Sequence, residues 1–193
     1  MTTTSEEQSK AAPGQLALIQ AFVNTQYGQA RHAHVELTSP EQLRAWLVVH
    51  DLLAKGKPVT EGDFRRLLLL RETLRNLLRA NNETGTLASL VEVLNHLASN
   101  APLMVHFHHD GLPTLEPDIA GVDGAIARLV GIVFTAMTDG TWARLKVCRN
   151  DRCQKAFYDT SKNHSGAWCS MAGCGSRLKA RSYRHRRTVP REG

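Results

Sequence analysis

Residues 148–174, CRNDRCQKAFYDTSKNHSGAWCSMAGC, contain all four cysteines of the chain. Cys148 and Cys153 are separated by four residues, Cys169 and Cys174 by four more, and fifteen residues lie between the two pairs. Two matched pairs on either side of a short loop can converge on one tetrahedral ion, with each thiolate about 2.3 Å from zinc. The spacing therefore predicts one zinc ion held by these four cysteines.

The zinc is expected to be structural, because four thiolate ligands leave no coordination position open for a catalytic water. A fragment of 27 residues has too little apolar material to fold by burial alone, whereas zinc contributes an apparent ~10 to 16 kcal/mol in finger peptides. Two disulfides, free thiols and an iron–sulfur cluster are the alternatives for the same cysteines. Phe157, Tyr158 and Trp168 are expected to form a miniature core beside the ion, with base stacking as the alternative.

The charge is divided unevenly along the chain. Residues 1–139 contain 11 Lys and Arg against 15 Asp and Glu, whereas residues 140–193 contain 13 against 3. A segment this basic favours a polyanionic partner, because each phosphate neutralised by Lys or Arg releases condensed counterions. A solvated cationic tail without a partner is the alternative.

The basic charge is concentrated in residues 177–187, RLKARSYRHRR, which contain no acidic residue. If this run is helical, Arg177, Arg181 and Arg184 lie on one stripe at positions i, i+4 and i+7. The like charges of such a helix repel each other unless an anionic partner is present. We therefore predict a basic helix at the end of the zinc module that contacts nucleic acid. The predicted contact residues are Arg177, Lys179, Arg181, Arg184, Arg186 and Arg187.

The fold class is predicted to be mostly α, with a helical N-terminal domain that includes a small β-hairpin. Apolar residues at helical spacing predict helices over residues 14–26, from Ser39, from Thr60, over 86–100 and over 119–138. Ser39-Pro40 and the Thr60/Asp63 pair are residue types that begin helices. The arginines of the helix after Thr60 are expected on a solvated face. Asp110-Gly111, between two short β-prone runs, predicts the turn of a hairpin.

Four segments follow from these patterns. Residues 1–13 are expected to be a flexible leader, 14–140 the helical domain, 141–187 the zinc finger and 188–193 a flexible tail. No Gly-rich phosphate loop, serine nucleophile motif or carboxylate pair near a histidine is present in the sequence, so no enzymatic activity is predicted.

Three histidines near the predicted turn, His106, His108 and His109, raise the question of a second metal site. His106 and His108 would share one face of a strand, but two histidines are at most half a site. No acidic or cysteine partner lies at a convincing sequence spacing. We interpret them as strand-surface histidines, with metal binding as the alternative.

The C-terminal residues resemble the CGNR zinc finger of bacterial proteins over most of residues 145–187. Beyond the first cysteine pair, the similarity covers Phe157-Tyr158-Asp159, Ser161, Trp168-Cys169-Ser170-Met171, Cys174-Gly175, Arg177, Lys179-Ala180 and Tyr183. Ser176 departs from it, because the family has Asn there. Gly166 stands near a position where the family often has arginine.

The N-terminal part is similar to the ABATE domain that accompanies this finger, through Phe22-Val23-Asn24-Thr25 and the segment 43–47 with Trp46. The resemblance implies a stress-induced bacterial transcriptional regulator, in which the finger binds DNA and the N-terminal domain serves sensing or interaction.

These observations predict a cytoplasmic, DNA-binding transcriptional regulator without membrane contact, dimeric if it binds paired half-sites. RNA binding is a variant of this hypothesis. The alternative is a ligand-sensing or protein-interaction module with an incidental basic tail. An unknown small-molecule effector would then bind at a pocket that includes Asn24 and Thr25.

Overall fold

The computed structural model describes residues 10–25, 37–82 and 87–176, and within these ranges the chain is mostly helical, as predicted. Two antiparallel hairpins accompany the helices. The helices are α1 (Leu16–Val23), α2 (Pro40–Val49), α3 (Glu61–Ala80), α4 (Ala88–Ala98) and α5 (Gly121–Thr138). The strands are β1 (Leu103–Phe107), β2 (Pro113–Pro117), β3 (Leu145–Val147) and β4 (Ala156–Tyr158).

Two helices begin at the residues that the sequence indicates. The Ser39 hydroxyl accepts a hydrogen bond from the Gln42 amide at the start of α2. At the start of α3, Thr60 and Asp63 satisfy each other's backbone amides in a reciprocal capping box. The Gln42 side chain accepts hydrogen bonds from the amide and the hydroxyl of Thr38, just before the helix.

The main core lies between α3 and the helices around it. α1, α2, α4 and the strand β3 all contact α3, and α5 closes the other side of the core against α1 and α4. By length and composition α5 could span a membrane, but its apolar face, with Ile126 and Leu129, is buried inside this core. The apolar face therefore has its partner within the chain.

The arginines of α3 do not all face solvent, and for Arg71 and Arg75 the predicted solvated face is wrong. Both side chains are buried, and the guanidinium of Arg75 donates to the carbonyls of Val23 and Gln154. Burial lowers the pKa of Arg75, against the opposing effect of the Glu72 carboxylate. Arg75 thus joins the end of α1 to the segment that follows Cys153.

The hairpin of β1 and β2 packs against α5 with one face only. His106 pairs with Thr114 in the register, and Gly111 takes a positive φ of 80° in the turn. Leu103 and Leu115 of the inner face lie against Gly131 of α5, where a Cβ would be in ordinary van der Waals contact with the Leu103 methyl groups. The residues that alternate with the inner residues lie on the opposite face of the hairpin: Met104, His106, Thr114 and Glu116.

The second hairpin extends the main core into the cysteine-rich segment. Leu145, Val147 and Ala156 are buried in the same apolar cluster as the helices. Three asparagines attach this hairpin to the helical domain. Asn81 donates to the carbonyls of Trp142 and Leu145 at 2.8 Å each, Asn82 donates to the Val147 carbonyl at 2.7 Å, and Asn24 pairs with both backbone groups of Ala156.

We expect Asn81→Ala to lower the free energy of unfolding by about 1 to 3 kcal/mol, because it leaves two partly buried carbonyls without their donor. The measurement is urea denaturation of the zinc-loaded protein. Asn95→Ala, at an exposed position of α4, is the matched control and should change stability by less than about 0.5 kcal/mol. Equal effects of the two substitutions would show that Asn81 is not an attachment point.

Candidate metal centre

The four predicted ligands lie together in the structure. The Sγ atoms of Cys148, Cys153, Cys169 and Cys174 are all within 4.8 Å of one another. Three of these cysteines are buried and Cys169 is half-buried, at the edge of a small cluster that also contains Phe157 and Trp168. Of the described residues, these form the one group of three or more His, Cys, Asp or Glu whose ligand atoms converge in this way.

The separations between sulfurs fit a single tetrahedral ion. Four thiolates about 2.3 Å from zinc lie about 3.8 Å apart, and the Sγ atoms of Cys153 and Cys169 are 3.5 Å apart, those of Cys169 and Cys174 3.8 Å apart. A disulfide requires about 2.05 Å, so these cysteines are not joined in pairs. An iron–sulfur cluster places several metal atoms among its ligands and needs a wider arrangement.

The short distances between the sulfurs also indicate that a cation binds among them. Hydrogen bonding to Cys153 raises the pKa of Cys148 to about 12, and contacts with Cys148 and Cys153 raise the pKa of Cys169. The pKa of Cys153 falls because the thiols of Cys148 and Cys169 donate to its sulfur. Several thiolates can share this small volume only when a positive ion neutralises them.

A tight turn after β3 brings the first cysteine pair together. The amides of Cys153 and Gln154 both donate to the Asn150 carbonyl, at 2.7 and 3.1 Å. The Asn150 side chain donates to the sulfur of Cys174, at 3.4 Å. Asn150 therefore shapes the first pair and touches a ligand of the second, which is the position of an outer-shell residue around a metal.

The second pair is positioned by a short π-helical turn, Met171–Gly175. The Ser170 hydroxyl accepts from the Gly173 amide, and the Ser170 carbonyl accepts from the amides of Cys174 and Gly175. Ser176, which replaces the family's Asn, donates from its hydroxyl to the Met171 carbonyl at 2.9 Å. The serine thus closes this turn at the backbone of the second pair.

The aromatic residues of the loop lie in two different apolar clusters. Phe157 is almost completely buried against the cysteines, and Trp168 is half-buried beside them. Tyr158 packs on the main core instead. The predicted miniature core is confirmed for Phe157 and Trp168.

A buried ion pair between Lys146 and Asp159 holds the loop between the cysteine pairs, and the sequence patterns do not reveal it. The Lys146 ammonium lies 2.8 Å from the Asp159 carboxylate, and both side chains are at most 4% exposed. Burial raises the pKa of Asp159, but hydrogen bonds from Lys146, Ser161 and Gly166 outweigh burial and hold this pKa well below its ordinary value.

Gly166 packs against the Asp159 carboxylate, which explains why glycine stands at this position. Its amide donates to the Asp159 carboxylate at 2.7 Å. A Cβ at this position would lie 2.5 Å from a carboxylate oxygen of Asp159. An arginine there would displace the carboxylate from its place beside Lys146.

The end of the expected leader is part of the folded protein. Lys10 donates from its ammonium to the Trp168 carbonyl at 2.6 Å and lies over the ring of Phe157, 4.9 Å from its centre. Its carbonyl accepts from the Tyr158 amide, and Ala12 is buried. Residues 10–13 therefore differ from the flexible leader expected over 1–13, because Lys10 bonds directly to the finger and the Ala12 amide bonds to Gln20 of α1. Residues 1–9 lie outside the described ranges.

The remaining predicted site residues have different outcomes. Both side-chain groups of Asn24 are bonded to Ala156, and the buried Thr25 hydroxyl donates to the Phe22 carbonyl and accepts from Arg71. These groups are engaged with the protein itself. A shallow cleft of about 190 Å³ lies elsewhere, near Asp51 and Arg128.

All six predicted nucleic-acid contacts lie outside the described residues, as does the predicted basic helix: Arg177, Lys179, Arg181, Arg184, Arg186 and Arg187.

Comparison with known families agrees with this architecture. The sequence profile of ABATE, described as "Putative stress-induced transcription regulator", matches residues 16–138. The chain belongs to the ABATE family. The profile of the CGNR zinc finger matches residues 144–187, which include all four cysteines. A comparison with individual curated proteins gives no match.

The centre is a structural zinc site of the CGNR type, with one zinc per chain. The bound ion supplies a four-fold cross-link and no reactive position, because all four of its ligands come from the protein. The residues around the ligands bend the backbone so that the two pairs face each other.

The purified protein should contain close to one zinc per chain. Cys148→Ser and Cys174→Ser should each lose the zinc and the fold of the finger, because three cysteine ligands do not complete the coordination of the ion. Elemental analysis and circular dichroism measure the two effects. Lys162→Ser, at an exposed position of the same loop, is the control and should retain zinc. Full zinc content in either cysteine variant would contradict the four-ligand site.

Asp159→Asn should lower the free energy of unfolding by about 3 to 5 kcal/mol, because it leaves the Lys146 ammonium buried without a counter-charge. Denaturant titration of the zinc-loaded protein measures the change. Asp151→Asn, on the exposed turn of the first cysteine pair, removes the same charge and should cost less than about 0.5 kcal/mol. A loss below about 1 kcal/mol for Asp159→Asn would mean that the ion pair contributes little.

Proposed function

We propose that this protein is a cytoplasmic bacterial transcriptional regulator that binds DNA through the basic segment following its zinc finger. One observation carries the proposal. The cysteine cluster and the hydrogen bond from Ser176 to the Met171 carbonyl hold the chain up to Ser176, and the acid-free run with six Lys and Arg begins at the next residue. Membership of the ABATE family, whose description is that of a transcription regulator, supports the same role.

Because the basic run follows the zinc finger directly, zinc can contribute to DNA binding through the chain. Basic residues on a free chain gain counterion release when they bind DNA, but they lose conformational entropy in doing so. A basic run that starts from a metal-fixed turn loses less conformational entropy on binding than a free chain does. Hydrogen bonds from Asn150 and to Ser170 hold this turn. Zinc therefore contributes to DNA binding by positioning the basic residues and makes no contact with DNA.

The basic residues divide into two proposed roles. Arg181, Arg184, Arg186 and Arg187 bind phosphates and set the orientation of the finger. Arg177 and Lys179, closest to the zinc turn, reach base edges, where Arg and Lys pair best with guanine. The helical domain senses a signal or binds a partner, and a homodimer would place two fingers on paired half-sites.

The electrostatic part of the proposal predicts a steep salt dependence. The logarithm of the affinity for duplex DNA should fall linearly with the logarithm of salt concentration, by about 0.9 for each phosphate neutralised. Replacing Arg181, Arg184, Arg186 and Arg187 with glutamine should reduce this slope by about 3 to 4. Fluorescence anisotropy with a labelled mixed-sequence duplex measures the slope.

A charge-matched control separates local contacts from net charge. Lys55→Gln, Lys57→Gln, Arg65→Gln and Arg128→Gln together remove four positive charges from exposed positions of the helical domain and should leave the slope nearly unchanged. Salt-insensitive binding, absence of duplex binding, or equal slopes for the two variants would contradict the proposal. Competition by unlabelled duplex RNA distinguishes an RNA-binding protein.

A further inference from the structure

The outer face of the first hairpin, formed by β1, β2 and the turn that joins them, carries a group of side chains whose types can ligate metal ions. His106 lies on β1, His108 follows at the start of the turn, and Glu116 lies on β2. Their alternation and the pairing of His106 with Thr114 place all three on the face opposite to the one that packs on α5. The hairpin brings Glu116 to the two histidines although nine residues separate it from His106 in sequence.

The carboxylate of Glu116 lies between the two imidazoles. The Nε2 atom of His106 is 4.0 Å from one carboxylate oxygen, and the Nε2 atom of His108 is 3.8 Å from the other. Thr114 completes the group, since its hydroxyl donates to Glu116 at 3.0 Å and lies 2.8 Å from the Nε2 atom of His108. Two nitrogens and a carboxylate are a donor set typical of divalent transition metals.

The fold itself does not account for this arrangement. The side chains of His106, His108 and Glu116 are each almost half exposed, at 47 to 48%. Ion pairs with this exposure contribute little to stability. None of the three side chains packs in the main core, so the hairpin does not need these residue types in order to dock on α5.

We propose that His106, His108 and Glu116 bind a divalent transition metal ion at a surface site separate from the cysteine centre. Neighbouring ligands about 2.0 to 2.2 Å from zinc lie about 3.0 to 3.5 Å apart. The two nitrogen–oxygen distances, 4.0 and 3.8 Å, exceed this range by about 0.3 to 1 Å, and rotation of these half-exposed side chains brings the three ligands around the ion. The ion replaces the contact between His108 and Thr114.

This site differs in kind from the cysteine centre. Three protein ligands on an exposed hairpin leave coordination positions for water or for a ligand from another molecule, whereas the four cysteines leave none. The nitrogen and oxygen donors also hold a divalent ion less firmly than thiolates do. The hairpin site therefore exchanges its ion while the finger retains zinc. Thr114 orients the carboxylate in the way that outer-shell hydrogen bonds orient metal ligands.

The test uses the full chain, freed of any affinity tag and loaded with one zinc in the finger. Isothermal titration with Zn²⁺ should reveal one further saturable site per chain. His106→Ala, His108→Ala and Glu116→Gln should each weaken that site by at least about tenfold, and Thr114→Val by about tenfold, as measured for losses around other metal sites. Each variant should keep the first zinc and the circular dichroism of the wild type.

His96→Ala, which removes an exposed histidine from α4, is the matched control and should leave the second site unchanged. Wild-type protein that takes up no zinc beyond the first ion would overturn the proposal. A second zinc that survives substitution of His108 or Glu116 would overturn it as well. Because DNA is absent from this experiment, failure of the hairpin site and failure of DNA binding are distinguishable.

Discussion

The convergence of four cysteine sulfurs on one zinc ion is the interaction on which the fold of the cysteine-rich finger depends. The cluster beside the sulfurs contains little apolar material apart from Phe157 and Trp168. Burial of two aromatic side chains cannot offset the conformational entropy of the loops that connect the cysteines. Structural zinc contributes an apparent ~10 to 16 kcal/mol in finger peptides, so the fold of this segment and its metal content are linked.

The zinc module is joined to the helical domain over a continuous surface. Its hairpin is buried in the same core as α3, and Asn24, Asn81 and Asn82 satisfy its backbone groups from the helical side. Arg75 connects the first cysteine turn to the end of α1. A shift of α1 or α3 would therefore act directly on the backbone beside the metal ligands.

Buried charge in this protein lies where chain segments meet. Arg75 lies between α1 and the first cysteine turn, and Lys146 and Asp159 tie the loop between the cysteine pairs to β3. Such groups are costly to bury and are retained where their hydrogen bonds satisfy several backbone groups at once. Lys146 does so for the carbonyls of His164 and Gly166, and Asp159 for the amides of Ser161 and Gly166.

The sequence by itself determined the features that depend on local spacing. The cysteine ligands, the helix starts at Ser39 and Thr60 and the hairpin turn at Gly111 follow from residue types a few positions apart, because capping, turn geometry and metal spacing act over short distances. Only the tertiary structure decided the Lys146–Asp159 pair, the burial of Arg75, the attachment of Lys10 to the finger and the approach of Glu116 to His106. These contacts join residues that are distant in sequence, and periodicity specifies which face a side chain occupies but not what packs against it.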